Sequence, residues 1–353
     1  MSSMLIYGAY GYSGRQILDA AVKRGLNPIA AGRDPQQTEA LAREFGVAAR
    51  SFALDDQRAV DAGLKGVSLV MHCAGPFSAT AKAMLDGCIR AGAHYLDLCG
   101  EYKVIEAVAA RDAQLKSAGV MAMSAVGMDV VPTDCLAAHM KQRMPEATRL
   151  DIYVRALEQL SRGTATTMVE GAGLPNVVRE NGVLVEKRAG ADRRKVAFPG
   201  KQVSMVSMVS VPWGDIATAY RTTGIPNIAT HMSLMPGAPI AIAIGGYFGW
   251  LTQTAFMQRL LKGLVKRFVT GPSVEHQAAN RAEFIAEVRD GKGRTLSSYL
   301  TTQEGYAFTN AAAVEICARV LAGEARPGFQ TPGGLFGADF VLSIPGSARK
   351  DLV

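Results

Sequence analysis

The sequence predicts an α/β fold: a Rossmann-type doubly wound parallel sheet, followed by a second α+β domain with a mixed or antiparallel sheet. The helical segments of the first 130 residues have apolar side chains three and four positions apart and end at or near a glycine. These helical segments alternate with apolar runs. This alternation is typical of a parallel sheet, in which the apolar runs form buried strands and the helices connect them. The six runs lie at residues 4–8, 27–31, 47–53, 67–74, 94–98 and 120–125.

The chain of 353 residues is long enough for two domains. The predicted domains are a nucleotide-binding domain over 1–135 and a substrate and dimerisation domain over 136–325. The C-terminal segment 326–353 and the helical pattern at 311–324 are candidates for a return to the first domain. In the second half, alternating apolar and polar residues predict strands, at 149–157, 203–211 and 216–224.

The composition is globular, with 48% hydrophobic and 20% charged residues. The five cysteines include no C-x-x-C pair, which argues against structural zinc or a disulfide framework and favours the reducing cytoplasm. No charged segment followed by an apolar run marks a secretory signal at the N-terminus. The net charge of +7 is scattered, so no nucleic-acid partner is predicted. The basic patch at 187–195 is interpreted as a solvated loop, with an acidic docking partner as the alternative.

Three glycines, Gly8, Gly11 and Gly14, follow the first apolar run and open the first helical segment. A strand, a glycine-rich turn and a helix in this order are typical of a loop that binds the pyrophosphate of a dinucleotide at the helix N-terminus. The spacing is G-x-x-G-x-x-G, one residue wider than the dinucleotide fingerprint. The predicted cofactor-binding residues of this loop are Gly8, Ala9, Tyr10, Gly11, Tyr12, Ser13 and Gly14.

The end of the second strand predicts which dinucleotide binds. An NAD-binding domain places an acidic residue there, against the ribose 2′-hydroxyl. Here Gly32 stands at that position and Arg33 follows it, which suits the 2′-phosphate of NADPH. Asp34 is followed by Pro35 and Gln37, so it is interpreted as a helix N-cap and not as the ribose ligand.

The loop after the fourth strand lies on the same carboxyl edge of a parallel sheet as the glycine loop. Ala74, Gly75 and Pro76 are therefore predicted to line the cofactor. His72 and Cys73 precede this loop and are interpreted as packed core residues.

Three segments also resemble a known family. In order and spacing, IYGAYGYSGRQI, then MHCAGPF with GAHYLDLCGEY, then MSAVGMDVVPTD are similar to saccharopine dehydrogenase-like oxidoreductases, which include trans-acting enoyl reductases. The similarity is strongest over 4–136 and continues more loosely through 163–171, 211–227 and 327–342. It implies an NADP(H)-binding domain followed by an α/β domain that covers the nicotinamide and often carries a homodimer contact.

In saccharopine-type members of that family, the loops that match LCGEY and VGMDVVPTD face the substrate. By position, the resemblance nominates Cys99, Gly100, Glu101, Gly127, Asp129 and Thr133. The chain departs from the amino-acid-binding members because it shows no obvious cluster of Arg and Lys to clamp substrate carboxylates.

The proton donor for a hydride transfer has several candidates. Asp129, Cys99 and Glu101 are the predicted catalytic residues. The loops after the fifth and sixth strands lie at the carboxyl edge of the sheet, which is the edge where ligands bind. Each carboxylate also has a structural alternative, in which it caps a helix or binds loop backbone. The other candidates are Asp97, Tyr10, Tyr12 and Tyr102. The five histidines show no paired spacing, so no metal is predicted.

Residues from Thr222 to Gln258 include no Lys, Arg, Asp or Glu, and a basic amphipathic pattern, QRLLKGLVKRFV, begins at Gln258. Pro236, Pro239 and several glycines argue against a transmembrane helix. Two hypotheses stay open, a buried dimer interface or apolar pocket wall, and a peripheral membrane contact through 232–268. Both the pocket and the membrane contact predict an apolar substrate.

The leading hypothesis is an NADPH-dependent oxidoreductase that reduces an activated C=C or C=O of a small apolar, acyl-chain-like substrate. An opine or amino-acid C–N oxidoreductase is the alternative within enzymes. A non-catalytic NADPH-binding protein of a membrane surface is the alternative from a different class.

Overall fold

We describe the protein from a computed structural model of the chain. The structure describes residues 3–155, 166, 169, 171, 173–199, 203–233, 252, 254–268 and 280–352. The chain forms two compact units. The first unit contains Met1–Asp134 and Tyr306–Ile344, and the second contains Cys135–Gly305 and Pro345–Val353.

Strands and helices are numbered here along the chain. The strands are β1 (Met4–Tyr7), β2 (Ile29–Gly32), β3 (Ala49–Ser51), β4 (Leu69–His72), β5 (His94–Asp97), β6 (Met121–Met123), β7 (Arg149–Arg155), β8 (Asn176–Glu180), β9 (Val183–Lys187), β10 (Arg193–Phe198), β11 (Ser204–Val211), β12 (Asn227–Ser233), β13 (Arg281–Arg289), β14 (Thr295–Gln303), β15 (Gly328–Phe329) and β16 (Ala348–Asp351). The helices are α1 (Tyr12–Lys23), α2 (Pro35–Phe45), α3 (Gln57–Gly63), α4 (Phe77–Ala91), α5 (Tyr102–Ala109), α6 (Asp112–Ser117), α7 (Val131–Arg143), α8 (Asp215–Thr223), α9 (Ala255–Phe268), α10 (Gly305–Arg319) and α11 (Pro332–Phe336). A π-helical turn at Val320–Glu324 and a 3-10 turn at Phe340–Ser343 complete the first unit.

The first unit is built on a seven-stranded sheet in the order β15-β6-β5-β4-β1-β2-β3. Every neighbouring pair in it is parallel. All six strands predicted from the apolar runs are present, so the Rossmann-type prediction is confirmed. Because β1 lies between β4 and β2, the chain reverses direction across the sheet at β1, and the loops there surround a crevice at the carboxyl edge.

Local sequence explains where these helices begin. Asp34 accepts a hydrogen bond from the Gln37 amide, with Pro35 in the first turn, and Gly46 ends α2 in the left-handed conformation. The interpretation of Asp34 as an N-cap is therefore confirmed. Asp56 caps α3 in the same way, by accepting from the amides of Arg58 and Ala59.

The second unit contains a nine-stranded mixed sheet with the path β10-β11-β12-β7-β13-β14-β16, and β8 and β9 extend it from β12. Only the β12–β7 pair is parallel among the described pairings of this sheet. The prediction of a mixed sheet is therefore confirmed.

The predicted strand at 216–224 is wrong, because this segment forms the helix α8. Five consecutive residues from Asp215 to Ala219 are buried, and Gly224 ends the helix in the left-handed conformation. A short segment with small residues satisfies a two-residue and a 3.6-residue period almost equally, and the terminal glycine favours the helix.

The chain returns to the first unit earlier than the sequence expectation for the second domain, which ran to residue 325. Helix α10 belongs to the first unit, where Asn310 donates to the side chain of Gln16 at 2.7 Å and Arg24 pairs with Glu315 at 2.5 Å. The last strand, β16, belongs to the second unit and pairs with β14. Contacts between residues almost 300 positions apart leave no local sequence signal.

Most of the uncharged segment that precedes α9 lies outside the described residues, at positions 234–251 and 253. The basic amphipathic pattern that follows it forms α9. Within the described ranges, no helix combines the length and the apolar character needed to cross a bilayer.

Candidate active site

The glycine loop after β1 is shaped by close backbone approaches. Gly8 has a φ of +82°, and a Cβ at this position would lie 2.9 Å from the Ala74 backbone nitrogen. A Cβ on Gly14 would lie 2.2 Å from the Gly8 carbonyl oxygen. Since real Cβ atoms do not tolerate such distances from backbone, both glycines are needed for the turn to pack on the sheet.

Gly11 is sterically less constrained, because its Cβ would lie 3.1 Å from the Gly8 oxygen. It is the N-cap of α1, no side chain caps the helix, and the first turn contains no acidic residue. A helix N-terminus of this kind attracts an anion through its backbone amides and its dipole. Of the other predicted loop residues, Ala9 is buried, and partly exposed side chains belong to Tyr10, Tyr12 and Ser13.

Tyr10 occupies the space beside the end of β2. A Cβ on Gly32 would lie 2.3 Å from Cε1 of the Tyr10 ring, and the Asp34 amide donates to the Tyr10 hydroxyl at 3.3 Å. An acidic side chain at Gly32 cannot coexist with this ring position. Arg33, the next residue, is exposed at the same edge.

The loop of Ala74, Gly75 and Pro76 is held by a chain of hydrogen bonds that starts in the core. The Thr80 hydroxyl donates to the Ala74 carbonyl at 2.7 Å, and Nε2 of His72 lies 3.0 Å from the same hydroxyl. Because the Thr80 hydroxyl donates its single proton to the Ala74 carbonyl oxygen, it can only accept from His72. We therefore assign Nε2 of His72 as the donor in this hydrogen bond. Burial lowers the pKa of His72 to about 3, which keeps the ring neutral.

Asp97, at the end of β5, ties two loops together. Its carboxylate accepts hydrogen bonds from the amides of Cys99 and Ala125 and from the Ser124 hydroxyl, each at 2.9 Å. Burial raises the pKa of Asp97, and the hydrogen bonds from the Ala125 and Cys99 amides act in the opposite direction. The structure therefore assigns this candidate donor a structural role.

Cys99 is fully buried, and burial raises the pKa of its thiol well above the ordinary value. A nucleophilic or acid–base cysteine needs an accessible thiolate, so this environment disfavours Cys99 as a catalytic group. Glu101 is partly exposed at the start of α5, and its amide donates to the Cys99 sulfur at 3.4 Å.

Asp129 lies against the loop that contains Gly100. A Cβ on Gly100 would lie 2.4 Å from Oδ2 of Asp129, so only glycine allows the carboxylate to take this position. Part of the Asp129 surface remains exposed, yet the surrounding protein removes enough water to raise its pKa to about 6. A pKa of about 6 suits Asp129 to donate a proton near neutral pH.

Two other residues nominated by the resemblance support this loop. A Cβ on Gly127 would lie 2.8 Å from Cγ2 of Thr309, and the Met128 amide donates to the Thr309 hydroxyl at 3.0 Å. Thr133 is buried and donates its hydroxyl to the Val130 carbonyl. Both residues therefore shape the backbone next to Asp129.

Thr309 is a site-supporting residue that sequence reasoning missed. It lies on α10, about 180 positions from the loop it binds, and its neighbour Tyr306 packs edge-on against Tyr12 with ring centroids 5.1 Å apart. The helical pattern at 311–324 indicated the helix but not its position next to the glycine loop.

Within the described residues, no group of three or more His, Cys, Asp or Glu side chains is arranged to hold a metal ion. All five cysteines of the chain are free.

Comparison with known proteins identifies relatives of the first unit. Residues 4–123 match the family described as the saccharopine dehydrogenase NADP binding domain. The trans-acting enoyl reductase of Mycobacterium ulcerans is 24% identical over 151 residues, which cover 40% of this chain and 36% of that protein. The saccharopine dehydrogenase-like oxidoreductase of Rattus norvegicus is 21% identical over 161 residues, covering 40% and 38%. The chain thus spans little more than a third of the length of these curated relatives.

A solved structure is similar over the full chain. Apo saccharopine dehydrogenase (L-Glu forming) from Saccharomyces cerevisiae superposes with a TM-score of 0.68, with 12% sequence identity and complete coverage of both chains. At this identity the similarity establishes the fold.

Proposed function

We propose a reaction for this chain from the match of residues 4–123 to the saccharopine dehydrogenase NADP binding domain. The proposed function is NADPH-dependent reduction of an activated C=C or C=O in an apolar, acyl-chain-like substrate. The observation that carries the proposal is the position of Asp129, which packs against Gly100 at the carboxyl edge of the nucleotide-binding sheet, where burial raises its pKa to about 6.

The residues at this edge fit NADPH. The uncapped N-terminus of α1 at Gly11 suits the pyrophosphate, and the exposed Arg33 suits the 2′-phosphate. The Tyr10 ring fills the space that an NAD-type acidic residue at position 32 would need. When bound, the cofactor supplies the hydride.

Reduction of a double bond needs a proton in addition to the hydride, and the role of the protein is to donate that proton. The Asp129 carboxyl group would donate its proton to one atom of a polarised double bond, and the carbon at the other end of that bond would take the hydride. Burial favours the protonated form of Asp129, which makes it an effective general acid near pH 6. Asp97 and Cys99 are fully buried and are not assigned to this step.

An apolar substrate is supported by two observations. The stretch from Thr222 to Gln258 contains no charged residue, and one relative of the first unit is a trans-acting enoyl reductase. An enoyl thioester is therefore the first substrate class to test.

The test is a substrate panel followed through NADPH absorbance. Enoyl thioesters and apolar ketones represent the proposed function, and 2-oxo acids offered with amino acids represent the C–N alternative. We expect turnover with the apolar compounds. Turnover only with the amino-acid mixtures would replace the proposed substrate class, and NADPH binding without any turnover would favour a non-catalytic NADPH-binding protein.

Replacing Arg33 by alanine is expected to remove the preference for NADPH over NADH. A 2′-phosphate loses its charge-assisted contact, whereas the 2′-hydroxyl of NADH loses nothing comparable, so NADPH affinity falls roughly tenfold or more. Fluorescence titration with both nucleotides measures the change. Arg43→Ala, an exposed arginine near the end of α2, is the matched control. An unchanged preference in Arg33→Ala would contradict the assignment.

A further inference from the structure

Helix α9 of the second unit exposes an apolar stripe. Phe256, Leu260 and Leu264 follow one another at four-residue spacing, and their exposed fractions are 74%, 47% and 44%. Residues four positions apart lie along the same side of a helix, so the three side chains form one line. Their exposure matters because large apolar side chains lined up at a protein surface mark an interaction site.

A second row of apolar side chains on α9 is less exposed. Met257, Leu261 and Val265 lie one position further along the helix and are only partly exposed. The Gln258 side chain donates to the carbonyl oxygens of Val169 and Thr252, at 2.9 and 2.8 Å. The row of Met257, Leu261 and Val265 is therefore partly buried, whereas the stripe of Phe256, Leu260 and Leu264 is exposed.

The charge of α9 indicates the partner. The helix carries Arg259, Lys262, Lys266 and Arg267 and contains no acidic residue. Arg259, Lys266 and Arg267 are exposed, and helical spacing places Arg259 and Arg267 next to the stripe. An apolar stripe with basic flanks matches an anionic lipid surface, in which acyl chains receive the apolar residues and head groups receive the cations.

We propose that α9 is an interfacial helix that docks the protein on anionic membranes through Phe256, Leu260 and Leu264. A second copy of the chain fits less well, because two antiparallel or parallel copies of α9 would bring basic residues together without acidic partners on this helix. The proposal does not depend on the proposed reaction. It would place the protein at the surface where acyl-chain compounds partition.

Vesicle co-sedimentation of the full chain tests the proposal. We expect binding to phosphatidylcholine vesicles that contain phosphatidylserine, weaker binding to pure phosphatidylcholine, and a decrease as salt is raised. The paired change Leu260→Gln with Leu264→Gln should weaken binding roughly tenfold or more, because it removes apolar contact. Lys266→Gln with Arg267→Gln should weaken only the binding to the anionic vesicles.

The control changes two other exposed apolar residues of the second unit. Val183 and Met205 are 60% and 62% exposed on β9 and β11, and Val183→Gln with Met205→Gln should leave vesicle binding unchanged. NADPH titration of each variant verifies that the first unit is intact. Binding that is equal for all variants, or absent for wild type, overturns the proposal. A wild-type dimer that the Leu260 and Leu264 changes convert to monomer, with vesicle binding unaltered, assigns the stripe to a second copy instead.

Discussion

Replacing Asp129 by asparagine is expected to lower kcat/KM by roughly a hundredfold or more and, above pH 6, to make the fold more stable. The loss of activity follows because asparagine has no acidic proton to give. The gain in stability follows because the native environment disfavours the ionised carboxylate, whose pKa burial raises to about 6. A single change should therefore have opposite effects on catalysis and stability.

The sign of the stability effect follows from proton binding. Between the ordinary aspartate pKa and pH 6, the folded state binds more protons at Asp129 than the unfolded state does. Stability therefore falls as the pH rises through this range, by about 3 kcal/mol for a shift of this size. Asparagine is neutral at every pH, so its advantage should be present at pH 8 and should disappear near pH 4.

Thermal unfolding at pH 4 and pH 8 and pH profiles of kcat/KM measure both effects. Wild-type kcat/KM should fall as the pH rises above 6. The residual kcat/KM of Asp129→Asn should not show this decrease. Glu39→Gln, a change at an exposed acidic residue of α2, should alter neither quantity. If Glu101→Gln abolishes activity while Asp129→Asn retains it, the proton donor is Glu101 and the assignment of Asp129 is wrong.

Placing aspartate at Gly32 is expected to weaken NADPH binding without creating an NADH-binding protein. The new Cβ would lie 2.3 Å from Cε1 of Tyr10, so the ring must move away from the end of β2. The Thr38 hydroxyl, 3.2 Å from the same Cβ, further restricts the new side chain. We expect a loss of about 1–3 kcal/mol in unfolding free energy, as for other overpacked buried positions.

Combining Gly32→Asp with Tyr10→Ala should reverse much of that effect and favour NADH. Removal of the ring leaves space for the carboxylate, which can then accept from the ribose 2′-hydroxyl and repel the 2′-phosphate. Nucleotide titrations and unfolding curves of the two single variants and the double variant measure the coupling. Tyr10→Phe is the control, because it keeps the ring and removes only the hydroxyl that accepts from the Asp34 amide. If Gly32→Asp alone binds NADH tightly at wild-type stability, Tyr10 does not control the cofactor preference.

Much of the first unit is encoded by signals within a few residues of one another. The apolar runs predict β1 to β6, and Asp34 with Pro35 and Gln37 predicts the start of α2, because strand burial and helix capping depend on neighbouring positions. The misassignment at α8 shows the limit of such signals. A nine-residue segment rich in Ala and Thr fits two periods, and burial against the rest of the unit decides between them.

The sequence by itself determined the nucleotide-binding fold, the glycine loop and the cofactor class, since each depends on residue types at fixed short spacing. Only the tertiary structure decided that Asp129 lies against Gly100 with a pKa near 6, and that Tyr10 fills the space beside Gly32. It also decided that α10 supports the Asp129 loop through Thr309. These features depend on desolvation and close contact between distant segments, which exist only after the chain has folded.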